Sequence, residues 1–284
     1  MSESGRRGGD NARSGGVRGG APGGRGQRTG GDRSWRGRED RPRRDERPAR
    51  QDRPRREDRP ERQVPAGPVL GEHISFSDLD NEARKELRSL PKEIAELVGK
   101  HLVAAGKLVD TDPAAALEHA RFVKTKASRI PIVREAVGLA AYHAGEWAEA
   151  LSELRAVRRM TRTDLHVAIM ADSERALGRP ERALDLAKET NTSALPPEVA
   201  VELRIVAAGA RRDMGQLDAA VVSLQGKDLD PAVRYPWSAR LFYAYADNLL
   251  AAGRQQEALT WFLHSAEADT EDETDAAERA AELG

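Results

Sequence analysis

Gly145-Glu146-Trp147-Ala148-Glu149-Ala150-Leu151 carries a small residue five positions after a glycine, with an aliphatic residue directly behind it. The phrase recurs as Gly178-Arg179-Pro180-Glu181-Arg182-Ala183-Leu184, as Gly215 followed by Ala220-Val221, and as Gly253 followed by Ala258-Leu259. The glycines are 33, 37 and 38 residues apart. Self-similarity at such a period marks an array of helical units, each too small to bury its apolar face alone. Each glycine then marks the turn between two helices, and the residues behind it begin the second.

The pattern extends on both sides of the turn. Seven residues before each glycine stands Gly138, Ala171, Ala208 or Ala246. Four residues after the small position stands Leu154, Ala187, Leu224 or Phe262. Small residues let two helices approach, and a bulky apolar one fills the gap against the next pair. Ala187 breaks the second rule. Apolar periodicity and turn residues predict helix pairs over about 91–127, 131–160, 164–190, 197–226 and 237–268. A short helix over about 78–89 precedes them, capped at Ser77-Asp78, and Pro91 opens the helix after it. A polar helix over about 273–283 closes the array as a cap or frays as a tail.

Helix–turn–helix units with this spacing of small residues resemble the tetratricopeptide repeat family, over roughly 91–268. The expected fold is therefore all-α, a tetratricopeptide-type helical-hairpin solenoid over 74–284. The chain departs from the family where it usually has an early aromatic, here Arg134, and a later tyrosine, here Ala141. The long glycine spacings place insertions near 190–197 and 226–236, where prolines and Gly226 cluster. In this family the first helix of each pair lines a groove. The resemblance then puts Glu135, Tyr142, His143, Asp172, Arg175, Glu202, Arg212, Arg240, Tyr243 and Asp247 on that groove. The Lys and Asn clamp with which some members grip a C-terminal carboxylate is missing. Its positions carry Glu135, Ala168, Ile205 and Tyr243, then Leu139, Asp172, Gly209 and Asp247. For each groove residue, a solvated or internally paired side chain is the simpler expectation.

Charge divides the chain. Residues 1–67 hold 19 Arg and no Lys against 11 acidic residues, a net of +8, while 68–284 carry a net of −9. The first leucine is Leu70. A stretch with so little apolar surface cannot offset the entropy of ordering, so 1–68 is expected to be a disordered tail. Its first part, with Arg7, Arg18, Arg25, Arg28, Arg33 and Arg36 among glycines, resembles the Arg-Gly segments of RNA-associated proteins. Guanidinium groups stack on bases and fork onto phosphates. Its second part repeats every six residues from Asp40-Arg41-Pro42 to Asp58-Arg59-Pro60, an extended mixed-charge spacer. A polyanion-binding arm, an inert linker and an arm that contacts an acidic protein surface all fit this composition.

There is no cysteine, which removes disulfides and thiolate chemistry. None of the six histidines makes a His-Glu-x-x-His spacing, and the tail glycines do not sit between a strand and a helix. The acidic run from Glu267 to Glu273 lacks the glycine of a calcium loop. No apolar run reaches the length of a membrane span, and no secretory signal opens the chain. A cytoplasmic, non-enzymatic interaction scaffold without a cofactor is expected, its groove taking a protein or peptide and its tail adding contact to RNA or another polyanion. The competing expectation is an RNA-binding protein whose tail is the active part and whose repeats localise it.

Overall fold

The computed structural model describes residues 67–284, all within one compact unit, Gln63–Gly284. The readings placed on the tail, from Arg7 to Arg36 and through the six-residue repeat, lie outside the described residues. The described chain is all-α, with twelve helices packed mostly against their neighbours in sequence. They are α1 (Asn81–Leu87), α2 (Lys92–Leu108), α3 (Pro113–Ala127), α4 (Pro131–His143), α5 (Trp147–Thr161), α6 (Val167–Ala176), α7 (Pro180–Glu189), α8 (Pro197–Asp213), α9 (Leu217–Leu224), α10 (Ser238–Ala251), α11 (Gln255–Ala268) and α12 (Ala276–Leu283). The pairs α2/α3, α4/α5, α6/α7, α8/α9 and α10/α11 form hairpins, and α12 packs on α11.

Local chemistry sets the ends of these helices. Proline is the first helical residue of α3, α4, α7 and α8, where a missing N–H costs nothing. The repeated glycines all take left-handed φ, 74° at Gly145, 71° at Gly178, 72° at Gly215 and 75° at Gly253. Behind each, the next N–H donates to the carbonyl five residues back: Glu146 to Ala141, Arg179 to Glu174, Gln216 to Arg211 and Arg254 to Leu249, at 2.8–2.9 Å. This closure satisfies carbonyls that a helix end otherwise leaves bare.

Small residues pack inside the hairpins. Ala150, Ala183, Ala220 and Ala258 are fully buried, as are Ala171, Ala208 and Ala246. At Gly138 even a methyl group is excluded, since a Cβ there would stand 2.6 Å from Leu154 Cδ2. Buried apolar side chains fall into five clusters that succeed one another along the chain. Each helix pair thus shares its core with the next.

The amino-terminal elements differ from the sequence expectation. Instead of one helix over 78–89, Ser75 caps a 3-10 turn (Phe76–Asp78), and Asp80 caps α1 by accepting from the Ala83 N–H at 2.9 Å. Two short capped pieces win because each supplies its own side-chain acceptor. The packed region also begins earlier than 74. Gly67 lies against the Phe122 ring, and the Phe76 ring lies on the bare α-carbon of Gly99. Helix α6 starts at Val167 rather than 164, because Asp164 to His166 form a turn closed by the Val167 N–H on the Asp164 carbonyl. The 190–197 insertion holds a 3-10 turn (Thr192–Ala194), and 226–236 is irregular. No helix among the described residues is long and apolar enough to cross a membrane.

Candidate interaction surface

The residues assigned to a groove lie on α4, α6, α8 and α10, the first helices of successive pairs. They are brought together, and each is paired either with another of the set or with a residue beside it. Tyr142 on α4 donates to Asp172 on α6 at 2.7 Å. Asp172 accepts from Arg175 at 2.9 Å, and Arg175 reaches Asp213 at the end of α8 at 2.8 Å. Burial, followed by the Asp172 carboxylate, raises the Tyr142 phenol above its ordinary range. Arg212 on α8 pairs with Asp247 on α10, and Asp247 also accepts from Arg279 on α12 at 3.2 Å. Arg279 donates to the Tyr243 hydroxyl at 3.3 Å and lies 5.0 Å from the centre of the Phe262 ring. Burial and the Asp275 carboxylate push the Tyr243 phenol up to about 12. Glu202 and Arg240 stand 2.8 Å apart, close enough for an ion pair but without the alignment of a hydrogen bond. Burial raises the Glu202 carboxyl, against the pull of Arg240.

The last two members sit nearer the amino-terminal end. Glu135 lies 3.2 Å from His166, and the exposed His143 lies 3.7 Å from Asp110. The result is a seam of polar contacts linking α4 to α6, α6 to α8, α8 to α10 and α10 to α12. Gly209 is part of it, because a Cβ there would stand 2.6 Å from Cζ of Arg175. The sequence placed Gly209 on this face without showing that its bare α-carbon is what lets Arg175 cross onto α8.

An apolar recess of about 410 Å³ adjoins the seam at its amino-terminal end. Leu102, Val103, Ala136 and Leu139 from α2 and α4 line it, with Ala83 of α1. Asp78, Asp80, Glu135 and Lys107 are also in its lining, and Lys107 pairs with Asp78 at 3.2 Å. Pattern reading missed this recess because it needs α1 and α4 side by side, a contact made across more than 40 residues of chain, as in the Ile132 N–H bond to Glu86 (3.0 Å, separation 46).

Two buried polar groupings were also missed. Glu153 on α5, 5% exposed, accepts from Lys124 on α3 and Arg134 on α4, both at 2.7 Å. Arg134 occupies the place where the family pattern has an aromatic, so the departure is matched by a buried carboxylate. His101 on α2 and His119 on α3 meet Nδ1 to Nδ1 at 2.7 Å, with the His101 ring 4.6 Å from that of Phe122. Burial, and then the neighbouring His119, lowers His101 to about 4, and burial lowers His119. Among the described residues no group of three or more His, Cys, Asp or Glu side chains could hold a metal ion.

No protein-family model matches the chain, and comparison with curated proteins and with solved structures likewise returns no match.

Proposed function

We propose that the described region is a tetratricopeptide-type array that acts as a non-enzymatic protein-interaction scaffold, taking a peptide or partner protein on the face of its first helices. The observation that carries this reading is the apolar recess bounded by Asp78, Asp80, Glu135 and Lys107, beside a polar seam that runs from α4 to α12. A partner gains apolar burial in the recess, and the seam offers it preorganised hydrogen-bonding groups whose charges are already balanced. Such a face favours a partner with its own polar groups in register over one that is simply charged. The Arg-Gly tail adds an electrostatic contact to RNA or another polyanion.

Affinity capture from the native cell tests the reading, using the full chain, a chain lacking 1–67, and full-length Leu139→Glu. Partner capture should survive loss of the tail and fall with Leu139→Glu, while retention on RNA should vanish with the tail and weaken as salt rises. Capture that depends on the tail and ignores Leu139→Glu favours the RNA-binding reading instead, with the tail as the active part.

A further inference from the structure

Three departures from the internal repeat meet around one cavity of about 790 Å³ on the α7–α10 side of the array. Ala187 stands where other units carry Leu154, Leu224 or Phe262, and it forms part of the cavity wall. The 190–197 insertion contributes Thr192, and the 226–236 insertion contributes Gly226, Lys227, Asp228 and Tyr235. Helix α8 supplies the floor with Val201, Leu203 and Ala207. A missing bulky side chain and two extra loops thus make room where the other units are filled.

The chemistry of the walls is specific. Arg204, Arg211 and Lys227 face a single carboxylate, Asp228, which Arg204 already holds at 2.6 Å. Arg211 and Lys227 have no acidic partner among the described residues. Two further donors in the same lining, Arg204 Nε and Trp237 Nε1, are buried with no acceptor among the described residues. The Tyr235 and Trp237 rings stack in parallel, 5.0 Å between centres and 2° between planes, with Tyr235 left 37% exposed. The same two residues also border a second cavity of about 550 Å³, whose lining includes Glu198, Asp269, Glu271 and Glu273. The stack therefore separates a cationic recess from an acidic one, and an anion is directed to the former.

We infer that the larger cavity binds a nucleoside phosphate, with its base on the Tyr235–Trp237 stack and its phosphate met by Arg211 and Lys227. The volume lies within the roughly 300–1,000 Å³ of sites for small organic ligands. Base stacking on an aromatic ring is indifferent to base identity. Two cations with no carboxylate partner among the described residues suit the two charges of a terminal phosphate. The same chemistry is offered by a free nucleotide and by one unit of a single RNA strand.

Fluorine NMR on the full chain, labelled with fluorotryptophan and assigned by single Trp→Phe variants, tests this directly. Adenosine monophosphate should shift the Trp237 resonance saturably and leave Trp147 and Trp261 in place. Adenosine alone and inorganic phosphate alone should each bind about tenfold more weakly or worse, as should the nucleotide with Arg211→Ala/Lys227→Ala. Unmoved Trp147 and Trp261 signals in that variant show that it is folded, since both substituted side chains reach solvent. Tighter binding of a four-nucleotide oligoadenylate at Trp237 identifies a strand as the ligand, and equal binding identifies the free nucleotide. The inference is overturned by a Trp237 signal that ignores the nucleotide. It is equally overturned by one that responds as strongly in the double variant, or as strongly to phosphate alone.

Discussion

Gly145 and Gly138 sit seven residues apart on the same hairpin and are glycines for different reasons. Gly145 needs a backbone conformation, φ 74°, whereas Gly138 needs the absence of a side chain against Leu154. Gly145→Ala should therefore cost about 1 kcal/mol through left-handed strain. Gly138→Ala should cost about 1–3 kcal/mol through overpacking and should be relieved by Leu154→Ala, which leaves Gly145→Ala unaffected. Urea melts of the three single and two double variants check this; equal rescue of both glycines by Leu154→Ala refutes it. Arg134 gives a second contrast. Introducing the aromatic that tetratricopeptide repeats usually carry at this position, as Arg134→Phe, would ordinarily be expected to stabilise. Here it removes one of the two cations on the buried Glu153, so a loss of about 2–3 kcal/mol is expected, smaller when Glu153→Leu is added. A gain in stability from Arg134→Phe alone would show that the Glu153 pair carries no weight.

At the scale of the element, the contact that joins α2 to α3 is sensitive to pH. The Nδ1 atoms of His101 and His119 lie 2.7 Å apart, a contact that is favourable when both rings are neutral and one donates to the other. Their folded-state pKa values lie below the ordinary histidine value, His101 at about 4. The unfolded chain therefore binds protons at about pH 6.5 that the folded chain refuses. The stabilisation is complete above about pH 6.5 and is lost as pH falls toward about 4, amounting to about 1–2 kcal/mol between pH 7 and pH 5. Thermal melts at the two pH values, compared with those of His101→Gln/His119→Leu, measure it. An identical pH dependence in wild type and double variant would place the sensitivity elsewhere. The Glu118 carboxylate opposes the shift at His119, so Glu118→Gln should steepen the dependence slightly.

For the described region as a whole, cores shared only between neighbours imply stability that varies along the array. Helix α12 covers the last pair, burying Ala276 and Ala280 and placing Arg279 between Asp247 and Phe262. Ala280→Asp would bury an unpaired carboxylate and should release this helix at a cost of about 2 kcal/mol. Hydrogen exchange should then rise over α10–α12 and remain unchanged over α2–α5. A uniform rise over every hairpin would mean that the array unfolds as one unit.

How far each feature could be read from sequence follows from the range of the interactions behind it. The four turns, the hairpins and their small packing residues were legible, because a left-handed glycine and a buried alanine leave a fixed spacing within one unit. The polar face was legible as a set of positions only through the resemblance to tetratricopeptide arrays, which points to Tyr142, Asp172, Arg212 and Asp247 on the first helices of their pairs. Their pairing was not, because Tyr142 to Asp172 and Arg212 to Asp247 join separate hairpins and depend on how those hairpins stack. The same holds for Glu153 beneath Arg134, for the His101–His119 contact, and for the cavity that Ala187 and two insertions surround. The repeated unit is written into the order of residues, through backbone conformation and side-chain size inside each hairpin. Which charges cancel and where space is left open emerge with folding, because both depend on side chains contributed by hairpins that meet only once the chain is stacked.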